Sequence, residues 1–278
     1  SGNSGGVTAI MSATTTATLT GSSNNDVFTS GTVLTTGSVS AGDGVDTLAV
    51  LGDTVVASAT LGAKYTGFDV LSVNQLAQTA NNTRSQDVSF VSGVTVLNAT
   101  STATTANGDI TSGLTFSNLG ADTNTLSITG LANADTTATD DYSVTVTATR
   151  AANTVGDSMT VNLGTASATS GATAVGLNSG AGAVILDVSL ANEETITVNS
   201  LGASGSNFID DFTNTSATSM VFTGARALTV DSMSSTIVSS IDASAMTGAF
   251  INNTNSGAVA STIAGGSAWL IGFSCSAT

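Results

Sequence analysis

Short runs rich in Val, Thr, Leu and Ile recur along the whole chain, and the first three begin at residues 47, 70 and 94. These are TLAVLG (47–52), VLSV (70–73) and VTVLNA (94–99). The pattern continues through TLSITG (125–130), SVTVTATR (143–150), SMTVNLG (158–164), AVILDVSL (183–190), ETITVNS (194–200), SMVFTG (219–224), ALTVDS (227–232) and TIVSSID (236–242). Most are bounded by Gly, Asn, Asp or Ser, which makes each a strand signal. Separations of 23 and 24 residues fit one solenoid coil per repeat, whereas an antiparallel sandwich places a strand every ~8 to 12 residues. The expected fold is all-β: an elongated right-handed parallel β-solenoid, or β-helix, with irregular loops. β-Sandwich domains are the alternative.

Composition supports strands over helices. Thr and Val pack well on a pleated surface, while the usual surface helix formers Lys, Glu, Gln and Arg are nearly missing. Hydrophobic residues make up 41% of the 278, enough for a core, yet aromatics reach only 4%, so that core is thin. There is no Pro and there are 30 Gly, so the turns fall to residues that tolerate positive φ. In SVTVTATR, alternation puts Val144 and Val146 on one face and Thr145, Thr147 and Thr149 on the other. SMVFTG and ALTVDS, separated by Ala225 and Arg226, read equally as a hairpin or as two faces of a coil divided by a corner. Residues 1–15 read as a flexible N-terminal segment and 16–278 as the solenoid domain.

The charge balance excludes several functions. Net charge is −15 and the only basic residues are Lys64, Arg84, Arg150 and Arg226, so no basic stripe can neutralise a phosphate backbone, and nucleic acid is not an expected partner. No apolar stretch approaches the ~18 to 20 residues that span a bilayer. Cys275 is the only cysteine, which rules out an internal disulfide. With no His, Ser-His-Asp and Cys-His catalysis and the usual zinc sites fall away. Tyr65, Tyr142 and Trp269 are too sparse to furnish sugar platforms. The chain is therefore not expected to be an enzyme. Carboxylates that repel one another are instead bridged by divalent cations, and Ca²⁺ is the natural candidate.

Two segments give that expectation a location, in turns near 21–53. AGDGVDTLA (41–49) fits the nonapeptide G-G-x-G-x-D-x-U-x, with Ala41 at the first Gly and Leu48 at the apolar position. Gly42 and Gly44 allow the tight turn, Asp46 supplies a hard anionic oxygen, and Asp43 can add a second carboxylate. GSSNNDVFT (21–29) matches more loosely through Gly21, Asn24, Asp26 and Phe28, with Asn24 standing where a Gly would take a left-handed conformation. The plain alternative for both segments is an Asx-turn without metal.

The chain resembles the calcium-binding RTX-type S-layer proteins of Gram-negative bacteria. The resemblance rests on TLTGSSNNDVFTSG followed by SAGDGVDTLAV, on GFDVLSV (67–73), similar to that family's G-F-E-x-L-x-V strand, and on SSIDASAMTG (239–248), similar to its S-x-D-A-S-x-x-T-G stretch. It implies a β-solenoid that self-assembles into a lattice, calcium ions that rigidify coils and join subunits, and type I export to the extracellular face of a bacterial cell. The matching function is a secreted structural protein of a calcium-stabilised surface layer. An extracellular RTX-type adhesin or fibre-forming module is the alternative. Expected partners are further copies of the chain, in a lattice or filament, and a cell-surface polysaccharide reached through an anchor outside this chain. STIAGGSAWLIGF (261–273) lacks the Asp such a turn carries after Gly265 and Gly266, which confines the expected calcium turns to the N-terminal pair.

The remaining features read more simply. Trp269, Leu270, Ile271 and Phe273 form an apolar C-terminal cluster near 263–275, expected as an end cap or a subunit contact. Asp140 with Asp141 and Asp210 with Asp211 read as solvated loop acids, Glu193 with Glu194 as a solvated coil corner, and Asp242 as a turn hydrogen-bond acceptor. Ice binding needs strict T-x-T registration on one flat face, and the irregular spacing of the later runs argues against it.

Overall fold

The computed structural model describes residues 5–11, 15–52, 54–74, 82–100, 110–128, 142–164, 184–202, 205–235, 237–253 and 262–264. One sheet of eleven strands takes β1 (Thr8–Ile10), β3 (Val27–Ser30), β5 (Thr47–Val50), β7 (Val70–Asn74), β9 (Val96–Thr100), β11 (Thr125–Ile128), β13 (Ser158–Leu163), β15 (Thr195–Ser200), β17 (Ser219–Gly224), β19 (Ser240–Met246) and β21 (Thr262–Ala264), side by side in that order. A second sheet of seven runs β8 (Asn82–Asp87), β10 (Ile110–Leu119), β12 (Tyr142–Arg150), β14 (Val184–Leu190), β16 (Ser206–Asn214), β18 (Ala227–Ser234) and β20 (Phe250–Asn252). Near the N-terminus its place is taken by β2 (Thr18–Thr20), β4 (Ser38–Ser40) and β6 (Tyr65–Thr66). All pairings among the described strands are parallel. The chain visits the eleven-stranded sheet once per coil and crosses to another sheet in between. That is a parallel β-solenoid, as the strand spacing predicts.

The interior follows from period-2 alternation repeated in register. Phe28, Leu48, Leu71, Leu97, Leu126 and Val161 occupy one inward column of consecutive strands, and all are at most 1% exposed. Leu114, Val146, Val188 and Phe212 face them from the second sheet. Burial of each such side chain contributes about 1.5–3 kcal/mol, so a thin core still suffices when it is repeated in every coil. Phe28 and Phe68 meet edge to face at 5.8 Å near the N-terminal end.

Coil length varies while sheet register does not. The step between paired residues ranges from 19 (Thr8 to Val27) to 37 (Thr160 to Thr197), yet no register shift interrupts the large sheet from β1 to β17. The extra residues lie in connections and in the longer strands of the second sheet. SMVFTG and ALTVDS prove to be two faces divided by a corner, since β17 and β18 belong to different sheets. Val144 and Val146 are fully buried, as alternation places them.

Two expectations need correction. Residues 1–15 include β1, paired with β3 from Thr8 to Ile10, and Met11 is 3% exposed, so this stretch carries the first stacked strand. Its backbone bonds and the inward Ala9 outweigh its Ser/Gly-rich composition. The last run, TIVSSID, forms a strand only from Ser240, and Ile237 is 46% exposed. Among the described residues no helix is long and apolar enough to cross a membrane. The C-terminal cluster of Trp269, Leu270, Ile271 and Phe273 lies outside the described residues.

Candidate metal centre

An aspartate stands immediately before each of three consecutive strands: Asp26 before β3, Asp46 before β5 and Asp69 before β7. Coil stacking brings these residues to one corner, and their backbone and side chains interlock along the solenoid axis. Val7 N donates to Asp26 Oδ1 at 2.6 Å, Asp26 N to Asp46 Oδ1 at 2.7 Å, and Asp46 N to Asp69 Oδ2 at 2.9 Å. Each carboxylate thus caps the N–H of the preceding coil, where the sheet ladder has not yet begun. Thr47 N donates to Asp26 O and Val70 N to Asp46 O, so the corner is bonded in both directions.

The carboxylates are not equally satisfied. Asp26, fully buried, also accepts from Ser22 N at Oδ2 and from Ser22 Oγ at Oδ1, 2.8 Å away. The Val7 N–H, helped by the Ser22 bonds, holds its carboxyl below the usual aspartate value against the opposing effect of burial. Asp46 is equally buried, but its Oδ2 has no hydrogen-bond partner. Burial pushes its carboxyl up, and the charges of Asp26, Asp69 and Asp43 add to that, against the lowering effect of the Asp26 N–H. An orphaned anionic oxygen in a row of like charges is the arrangement a hard divalent cation relieves.

The two turns differ more than their shared template suggests. Gly42 and Gly44 take φ of 106° and 127°, which favours Gly at both positions. Neither Gly21 nor Asn24 has positive φ; among the described residues outside glycine only Asn118 does. Asn24 therefore does not replace a left-handed glycine. Ser22 closes its turn instead, its Oγ accepting from Asn24 N at 3.1 Å. Gly21 is required by close approach, since a Cβ there would lie 1.8 Å from Ala41 O. The unremarked neighbour Asn25 makes the cross-coil bond, accepting from Val45 N at 2.9 Å.

Of the residues expected at a calcium site, Gly21, Asp26, Gly42, Gly44 and Asp46 converge on this corner, with the Asn24 backbone against Gly44. Asp43 is exposed and acts on Asp46 through its charge. Asp69 falls outside the nonapeptide pattern because GFDVLSV lacks its Gly spacing. Its signal was the repeated Asp before a β-branched strand residue: Asp26-Val27, Asp46-Thr47, Asp69-Val70.

Glu193 and Asp210 depart from their solvated readings, while Asp211 stays exposed. Glu193 is 1% exposed and pairs with Arg150, Nε to Oε1 at 2.9 Å and Nη2 to Oε2 at 3.0 Å. Arg150 also donates to Gly120 O and Ser158 O, tying neighbouring coils together. Glu193 and Glu194 do lie at the coil corner between β14 and β15, and only the solvation of Glu193 fails, because its pairing partner lies 43 residues away. Asp210 and Asp211 lie on strand β16, beside Asp187 on β14, with carboxylate oxygens of the three within 4.8 Å. Asn207, Phe208 and Ile209 are buried in succession, a break in alternation that leaves both following acids outside the core. Burial and the neighbouring carboxylates push Asp187 and Asp210 up. Asp242 does accept a turn bond, from Ser244 N at 2.8 Å. Asp140 and Asp141 lie outside the described residues.

Comparison of the chain with family models, with curated proteins and with solved structures finds no match.

Proposed function

We propose that this chain is a secreted structural protein of a bacterial surface, a β-solenoid that folds and self-assembles when calcium fills its N-terminal corner. The observation that carries the reading is Asp46 Oδ2, buried without a partner between Asp26 and Asp69 on adjacent coils. Carboxylate oxygens suit Ca²⁺, whose flexible coordination accepts ligands supplied by successive turns. Where calcium is scarce, the repulsion along the corner opposes stacking of the first coils. Where extracellular calcium reaches about 10⁻⁴ to 10⁻³ M, weak sites of this type fill and the binding free energy becomes folding free energy.

A repetitive body with net charge −15, no His and few aromatics fits a scaffold better than a catalyst. Resemblance to RTX-type S-layer proteins in the same N-terminal turns supports the surface-layer form of this reading. Electron microscopy of the purified chain tests it. Ordered sheets are expected in millimolar calcium and dispersed particles in chelator. Identical particles in both conditions reject calcium-driven assembly.

A further inference from the structure

The acidic corner recurs further along the solenoid, and there the protein carries its own cation. Asp157 stands before β13 and Glu194 before β15, the places that Asp26 and Asp46 take before β3 and β5. The bonding repeats as well. Asp157 N donates to Glu194 Oε2 at 2.8 Å, as Asp26 N does to Asp46 Oδ1. Asp157 also accepts from Thr154 N and Thr154 Oγ1, as Asp26 does from the same two atoms of Ser22. Glu194 N and Thr195 N both donate to Asp157 O, as Asp69 N and Val70 N do to Asp46 O. Neutral residues precede the strands between and beyond the two corners: Thr95, Asn124, Thr218 and Ser239.

What differs is the cation. The Arg150 guanidinium, buried at the second corner, lies 2.9 Å from Glu193 Oε1 and 3.9 Å from Asp157 Oδ1. Its bonds to Gly120 O, Ser158 O and Glu193 reach three successive coils. At the N-terminal corner the charged groups acting on Asp46 are Asp26, Asp69 and Asp43, all negative, and Asp46 Oδ2 is buried without a partner. Lys64 and Arg226 donate elsewhere, to Thr35 O and Gly202 O, and Arg84 lies on β8.

We propose that calcium controls the N-terminal coils alone. Arg150 neutralises the second corner from within, so the coils from β9 onward stay folded without the ion, and withdrawal of calcium opens β1, β3 and β5. This rests on the calcium reading given above and adds where along the solenoid the ion acts. Asp69 and Asp157 stand three strands apart in the large sheet, or ~14 Å at ~4.8 Å per strand, beyond the ~8 Å over which physiological salt screens charge. Repulsion at the first corner is therefore weakly felt at the second. Solenoid coils contact only their neighbours, so coils at one end open without unfolding the rest. β1 stands at the end of its sheet, and opening starts there. The Arg150 bonds hold the coils of β11, β13 and β15 together as the calcium-independent body.

Amide hydrogen exchange of the full chain, resolved by peptide in millimolar calcium and in chelator, tests this. In chelator the peptides of β1, β3 and β5 are expected to exchange about tenfold faster or more, while those of β13, β15 and β17 keep their rates. Asp46→Asn, which removes the uncompensated charge, is expected to keep the N-terminal peptides protected in chelator. Arg150→Gln is expected to loosen β13 and β15 in calcium while β3 and β5 stay protected. Faster exchange spread evenly over all strands in chelator leaves the calcium reading standing and overturns its confinement to the N-terminal coils. Identical exchange in the two buffers overturns both. An Asp46→Asn chain as sensitive to chelator as the wild type removes charge as the cause. Unchanged protection of β13 and β15 in Arg150→Gln, or its loss in every strand, overturns the role given to Arg150.

Discussion

The Asp46 carboxylate accepts the backbone N–H of Asp26 through Oδ1 at 2.7 Å and leaves Oδ2 buried without a partner. One oxygen therefore stabilises the stacking of two coils while the other opposes it. Asp46→Asn separates these roles, because the amide oxygen keeps the bond and the charge is lost. In chelator the variant is expected to be at least as stable as the wild type, since it removes an uncompensated buried carboxylate. In calcium it is expected to gain no stability. Thermal unfolding in the two buffers checks both statements.

Asp69 caps Asp46 N from the next coil. Asp69→Ala leaves that buried N–H without its acceptor, which costs about 1–3 kcal/mol in chelator. Urea unfolding should register the loss as a lower midpoint with an unchanged slope.

The architecture was legible in the sequence because solenoid strands are locally encoded. TLAVLG, VLSV and VTVLNA each carry an inward Leu at the position the coil requires, and Leu48, Leu71 and Leu97 stack in register. Half of the site was legible for the same reason, since the nonapeptide is a local pattern. What escaped depends on contacts between coils. Asp69 acquires its role only by lying over Asp46, and Glu193 only by meeting Arg150 across 43 residues.

Arg150 and Glu193 form a buried pair at 2.9 Å. Arg150→Ala strands the Glu193 charge and is expected to destabilise the protein by about 3–5 kcal/mol. Arg150→Met with Glu193→Leu replaces both charges by apolar groups and is expected to recover most of that loss. A denaturant series on the single and double variants measures it.

Asp242 supplies a pH signature. Its bonds from the Ser244 side chain and backbone hold the carboxyl below its ordinary 3.8. A carboxyl lowered in the folded state stabilises the fold above the unfolded value, and that contribution disappears as pH falls through the lowered one. The melting-temperature gap between wild type and Asp242→Ala is therefore expected to be constant near neutral pH and to close in acid below 3.8. A gap that persists unchanged in strong acid contradicts this assignment.

Calcium-dependent thermal unfolding of the wild-type chain probes the central claim most directly. Melting temperature is expected to climb with calcium across about 10⁻⁴ to 10⁻³ M, as ligand binding to the folded state alone requires, and to drop again on chelation. Superimposable melting curves with and without the ion would contradict a metal seat at the aspartate corner.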